Sequence, residues 1–252
     1  MSEQLLMKKK KKEIPVVDAN VVFLCHFDQT PPRNEANGQN GTVVNANYYQ
    51  TQIILNDPAS AKFGQGFLKA GGAVGGGASE MVTFPKGFTL GNRNFTIESW
   101  HKWASWSTGG GATQQGWTIG IQQGSVNSGI ALMGTRFNGG QYIDINTTSN
   151  GPARRVDFPG LNSAESPVND WFHVAVVREG AILRLYRNGK LKKAENIGTG
   201  NIFDGNMVHL GYSSNAYQAG TNMDEMRIVL DQVLYTSDFT PPKAPYPNPI
   251  IP

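Results

Sequence analysis

The chain carries 22 Lys and Arg against 19 Asp and Glu over 252 residues; subtracting the five lysines of Lys8–Lys12 from its formal charge of +3 leaves the remainder slightly acidic, at −2. No apolar run approaches the ~20 residues of a membrane-spanning helix, and the lone Cys25 excludes an internal disulfide and suits a reducing compartment. Thirty glycines and fourteen prolines among 39% hydrophobic residues suit many short strands around a packed core, in one large β domain as readily as in two small ones.

Residues 1–15 read as an arm. Lys8, Lys9, Lys10, Lys11 and Lys12 are either a solvated tail, the usual fate of a charge run, or a grip on phosphates or on the acidic face of a partner protein. EIPVVDAN follows the lysines instead of an apolar core, so the start does not read as a secretory signal. Val16–Asp28 is the first strand, with Val22, Leu24 and His26 on one face and Val21, Phe23, Cys25 and Phe27 on the other. Gln29–Asn47 is irregular and polar. Ile53–Leu55 is a short strand, and Lys62–Leu68 (KFGQGFL) turns into another. The cluster Gly71–Gly77 is a loop tip, because no Gly-Lys-Ser/Thr follows to make it a phosphate loop.

Glu80–Phe84 and Asn94–Ala104 come next; in the latter Phe95, Ile97 and Ser99 alternate with Thr96, Glu98 and Trp100. Trp117–Gln122, Ser128–Phe137 and Gln141–Asn146 read as strands, with Arg154–Phe158 pairing beside one of them. Asp170–Ala194 is the strongest local pattern: three period-two runs broken at Glu179-Gly180 and Asn188-Gly189. Asn-Gly supplies the two positive φ angles of a type I′ hairpin turn, so a β-meander is predicted. Met207–Tyr212 and Asn222–Val229 complete about a dozen strands, and no period-3.6 segment exceeds one or two turns. The expected fold is all-β, a two-sheet antiparallel sandwich or jelly roll over residues 16–239. Residues 240–252 hold six prolines and read as an extended surface strap.

Catalytic patterns are missing. Retaining glycosidases need two carboxylates ~5 Å apart, and no Glu-x-Asp-x-(x)-Glu puts such a pair on one strand face; Asp144 stands alone in YIDIN. The adjacent Asp224 and Glu225 are expected on opposite faces of a strand. His26, His101, His173 and His209 are scattered without metal-ligand spacing. His173 is expected to pack and bond a backbone carbonyl, and Cys25 to be buried and inert. Trp100, Trp103, Trp106 and Trp117 cluster in a Gly/Ser/Thr/Gln-rich stretch. Trp106 is the candidate for an exposed ring, either stacking on a sugar with Gln114 and Gln115 as hydrogen-bonding neighbours or anchoring a protein partner.

FTIESWHKW, WFHVAVVREGAILRLYRNGKL, MVHLGYS and MDEMRIVLDQVLYTSDFTPPKAPY, in that order, resemble the laminin G-like members of the concanavalin A-like lectin/glucanase superfamily. VVFLCHFD and KFGQGFL resemble that family's opening strand and the turn that returns to it, so the resemblance covers roughly residues 16–246. It implies a two-sheet jelly roll and no single function, since the fold hosts lectins, glycosidases and structural modules. It implies a structural role for one carboxylate of Asp224-Glu225, accepting from backbone N–H groups or from Arg227 or Arg184. Calcium at the sandwich rim is the alternative, with Asp28, Asp204 and Asp224 as oxygen donors. The ending Asp224–Pro242 is most similar to versions in tailed-bacteriophage virions. The expectation is therefore a non-enzymatic virion protein, a capsid decoration or tail or fibre part made in the host cytoplasm. It would be present in many copies or as a homo-oligomer beside other virion proteins, with no specific nucleic acid and no membrane. The alternative is a carbohydrate-binding module for host envelope polysaccharide.

Overall fold

The computed structural model describes residues 18–44, 52–70, 81–103, 113–123, 126–135, 141–145, 154–157, 169–202, 205–211 and 221–250. Fifteen strands among them build two antiparallel sheets. One runs β13 (Lys190–Asn196), β12 (Ile182–Arg187), β11 (Phe172–Glu179), β6 (Phe95–Trp103), β15 (Thr221–Leu230), β4 (Phe67–Ala70), β3 (Gln52–Ile54). An eighth strand, β1 (Val21–Cys25), also pairs with β15, alongside its C-terminal half, as β4 does at its start. The other sheet runs β10 (Arg154–Asp157), β9 (Gln141–Ile145), β8 (Val126–Thr135), β7 (Thr113–Gln123), β14 (Met207–Leu210), β5 (Met81–Pro85), β2 (Thr42–Val44). Strand β2 lies inside the stretch read as irregular. Three residues with only Val43 and Val44 apolar are too short for a period of two to show.

The sandwich core is the alternate-residue set of both sheets. Phe95 and Ile97 of β6, Phe172, Val174 and Val176 of β11, and Met226, Ile228 and Leu230 of β15 meet Trp117, Ile119, Ile130, Leu132 and Val208 from the facing sheet. The predicted meander is present: Asn188 (φ 47°) and Gly189 (φ 74°) close the β12–β13 hairpin, and Gly180 (φ 56°) turns β11 into β12.

Strand β11 is buried on both faces from Phe172 to Arg178. The reason is a third layer. Residues 231–250, without regular secondary structure, lie over the outer face of the eight-stranded sheet. Leu234 and Tyr246 pack on Val21, Leu24 and Val229, while Tyr235 and Phe239 cover Ala175, Val177 and Tyr186. Tyr235 and Phe239 stack in parallel with centroids 3.5 Å apart. The Phe239 N–H donates to the Gly189 carbonyl, and a Cβ at Gly189 would sit 2.1 Å from the Phe239 oxygen. The hairpin glycine thus serves both a positive φ and the passage of the strap. The strap lies along its own sheet, and its apolar anchors begin before the Pro-rich tail, at Val233.

Candidate functional site

Strand registers bring many chain ends to one rim. Trp103 of β6 faces Thr221 of β15, which faces Ala70 of β4. In the other sheet Leu210 of β14 lies between Val82 and Trp117, Thr113 faces Thr135, and Gly134 faces Gln141. The two sets share one end of the sandwich: the Trp117 indole N–H donates to Ser99 Oγ at 3.1 Å, and a Cβ on Gly116 would meet the His101 ring. Strand ends flanking residues 45–51, 71–80, 104–112, 136–140, 158–168 and 212–220 all lie there.

Gln114 and Gln115 occupy the rim end of β7, opposite Gly134 and Met133. Trp106 lies outside the described residues, between the rim ends of β6 and β7; Lys8, Lys9, Lys10, Lys11, Lys12 and Asp204 are also outside them. Trp117, grouped by sequence with the possible sugar platforms, is fully buried core, and Trp100 is 6% exposed.

Beneath the strap lies a buried charged layer. The Arg227 Nε donates to Glu98 Oε1 at 3.0 Å, and the Tyr235 hydroxyl donates to Glu98 Oε2 at 2.9 Å. His173 Nε2 stands 3.2 Å from the same carboxylate and 3.1 Å from the Tyr246 hydroxyl. A carboxylate only accepts, so the proton sits on Nε2. His173 therefore bonds a side-chain pair where a backbone carbonyl was expected. Burial works against Glu98's charge, but Arg227 and His173 outweigh it and hold the carboxyl at about 2. The Arg227 guanidinium lies 4.0 Å from the Tyr246 ring centroid, so the strap's tyrosine closes this pair from above.

Asp224 and Glu225 depart from the expected opposite facing. The β15–β6 register shifts between Asp224 and Arg227, with Glu225 at φ 51°, and this bulge turns both carboxylates toward the outer layer. Asp224 accepts the Lys62 and Phe63 N–H groups, each at 3.0 Å, and the Glu225 N–H. Burial pushes its carboxyl up to about 8 against those bonds. Glu225 accepts the Tyr246 N–H at 2.8 Å and pairs with His26 at 2.7 Å. His26 Nε2 meets Asn248 Oδ1 at 2.7 Å, so both ring nitrogens face acceptors. Burial opposes the imidazolium, but Glu225 and Asn248 raise it to about 9. The backbone N–H partners expected for this pair are present, and His26 stands where an arginine was the other candidate; Arg227 pairs with Glu98, and Arg184 with Glu179 at 2.7 Å.

Asp28 Oδ1 accepts the Gln65 and Gly66 N–H groups at 2.7 and 2.8 Å, which ties KFGQGFL to the opening strand. Gly64 (φ 62°) is required there, since a Cβ would lie 2.2 Å from Asp28 Oδ2. The Asp28 and Asp224 side chains are thus taken up by N–H groups, and no cluster that could hold a metal exists among the described residues. Burial pushes the Cys25 thiol up, and it is inaccessible. His101 is buried against Phe172; burial first, then the Arg187 charge, drop it to about 3.

Sequence reasoning passed over Glu98 and Tyr246. Alternation places Glu98 only on the Thr96/Trp100 face of its strand, because nothing local signals that a later segment covers that face. The available signal was the apolar run Phe172–Val177 on both strand faces, which calls for a cover on each side.

A laminin G-type family model, described as the concanavalin A-like lectin/glucanases superfamily, matches residues 75–234. Among solved structures, the binding domain of botulinum neurotoxin DC in complex with rat synaptotagmin II is similar with TM-score 0.65 and 13% identity, over 87% of this chain and 50% of that one. Botulinum neurotoxin type C, whose cell entry depends on interaction with two ganglioside molecules, gives TM-score 0.62 and 14% identity over 87% of this chain and 49% of that one. The binding domain of Paraclostridial Mosquitocidal Protein 1 gives 0.61 and 13% over 86% and 50%. The chain spans about half the length of each. No curated protein matches it in sequence.

Proposed function

Because the chain belongs to the concanavalin A-like lectin/glucanase superfamily, we propose that it is a non-enzymatic recognition module, displayed as a structural protein of a tailed-phage particle and contacting envelope polysaccharide through the rim where the strand ends gather. The observation that carries this reading is the division of the surface. The outer face of the eight-stranded sheet is covered away from the rim by the chain's own strap, whereas one rim gathers the strand ends around six connecting segments. Those segments contain Tyr48, Tyr49, Trp106, Phe137, Phe158, Tyr212 and Tyr217 but only Glu80, Arg136 and Glu165 as charges, a composition suited to stacking on sugars and hydrogen bonding to hydroxyls.

The absence of catalysis is supported by the carboxylates. Glu98, Asp224 and Glu225 are buried, and each is already engaged by protein donors. The virion setting rests on the Asp224–Pro242 resemblance. Lys8–Lys12 would attach the domain to neighbouring virion proteins, and many copies would multiply weak glycan contacts.

A glycan array of bacterial surface polysaccharides, probed with the intact protein and with Trp106→Ala, tests the reading. Binding that Trp106→Ala weakens about tenfold or more is expected; no binding to any glycan would refute recognition. Antibody against the protein should label purified phage particles, and unlabelled particles would refute the virion setting.

A further inference from the structure

Where the strap does not reach, near the rim, the outer face of the eight-stranded sheet bears a row of polar side chains. Lys102 of β6 faces Asn222 of β15, which faces Lys69 of β4. Leu68, His101 and Met223, the neighbours in sequence, are buried on the inner side, so Lys69, Lys102 and Asn222 project outward. Lys69 is exposed and Lys102 half-buried. Lys102 and Lys69 are two strands apart, roughly 10 Å.

Beside this row stands Trp171, half-buried, just before β11. Its indole N–H donates to the Ser60 carbonyl at 3.1 Å, and the Lys102 ammonium donates to the same oxygen at 3.0 Å while lying 5.1 Å from the indole centroid. The ring is held in place before any ligand arrives. Lys62 rests 4.0 Å from the Trp100 centroid and 5.3 Å from that of Phe63. Among the described residues, none of Lys62, Lys69 and Lys102 has a carboxylate within the 4.0 Å of an ion pair, although other surface lysines do, as Lys190 does with Asp238. Burial lowers the basicity of Lys62 and Lys102 and outweighs the opposing pull of the Asp224 and Asp57 carboxylates, so a further anion at the ammonium groups would offset what burial costs them.

We propose that Trp171, Lys62, Lys102, Asn222 and Lys69 form a binding site for an acidic saccharide, the indole stacking on a sugar ring and the ammonium groups meeting its carboxylates. An oriented aromatic face, an amide and three cations without an ion-pair carboxylate among the described residues match a carboxylated sugar polymer. Three cations fall short of the 6–10 phosphate contacts typical of a protein gripping a nucleic acid. The site shares only its ligand class with the rim reading above and stands on different residues.

The test is affinity measurement on the intact protein with a uronic-acid oligosaccharide, the same oligosaccharide with its carboxyls reduced to alcohols, and a single-stranded DNA of similar charge. Tighter binding of the uronate than of either other probe, by about tenfold or more, is expected. Lys69→Met and Lys62→Met should each weaken it several-fold, and Trp171→Ala by about tenfold. Trp171→Ala frees the Ser60 turn, whereas Lys69 holds no loop, so the Lys69 variant decides even if the tryptophan variant unfolds. Equal binding of the reduced oligosaccharide or of DNA, no binding of uronate, or uronate binding untouched by Lys69→Met and Lys62→Met would each overturn the site. Neutral-glycan binding lost in Trp106→Ala, together with uronate binding untouched by Lys69→Met and Lys62→Met, would leave the rim reading standing alone.

Discussion

Replacing Glu98 by Gln should destabilise the protein by about 3–5 kcal/mol at pH 7, because it leaves Arg227 buried without its counter-charge. The structure supplies an independent estimate. Glu98 is fully buried, and its carboxyl is carried from 4.5 to about 2, a difference worth about 3 kcal/mol at 1.4 kcal/mol per tenfold. The folded form holds the proton less tightly than the unfolded chain. Its stabilisation is therefore fully present above pH 4.5 and disappears as the pH falls toward 2. Urea unfolding of the wild type and Glu98→Gln across pH 2–7, followed by far-UV circular dichroism, isolates this group, since the other carboxylates titrate in both. The gap between the two proteins should be largest at pH 5–7 and narrow steadily below pH 4.5. Replacing both partners, as Glu98→Leu with Arg227→Met, should cost less than the single change. A gap under about 1 kcal/mol, or one independent of pH, would refute the argument that this ion pair is what the strap seals in.

Tyr246→Ala should cost about 3–5 kcal/mol, as for other buried aromatics, and expose residues 231–250 to protease; Tyr246→Phe, losing one hydroxyl contact to His173, should cost about 1 kcal/mol. Asp224 titrates in the opposite sense to Glu98. Its carboxyl is raised to about 8, so the stability it contributes should decline as the pH rises from 4 to 8, and Asp224→Asn should remove that decline in urea unfolding. Gly189→Ala should destabilise by about 2 kcal/mol or more, from a positive φ and a clash with the Phe239 carbonyl. Gly180→Ala, with a positive φ but nothing within 4 Å of the added methyl, should cost less in the same thermal melts.

The sequence by itself determined the all-β class, the order of most strands, the meander at Asp170–Ala194 and the burial of Cys25. These follow from period-two alternation and from turn residues such as Asn188-Gly189, whose physics acts over a few neighbours. It also exposed the lack of a paired carboxylate motif. Local pattern could not reveal contacts between residues far apart in the chain. Nothing near Glu98 in the sequence announces that Tyr235 and Tyr246 come to lie over it, and Asp224 and Glu225 read as opposite-facing until the bulge turns both outward. The row from Lys69 to Lys102 exists only because β4, β15 and β6 align in one register. Burial and cross-strand neighbours are properties of the packed layers. The tertiary structure alone therefore decided which charges are sealed in and which are left open to a ligand.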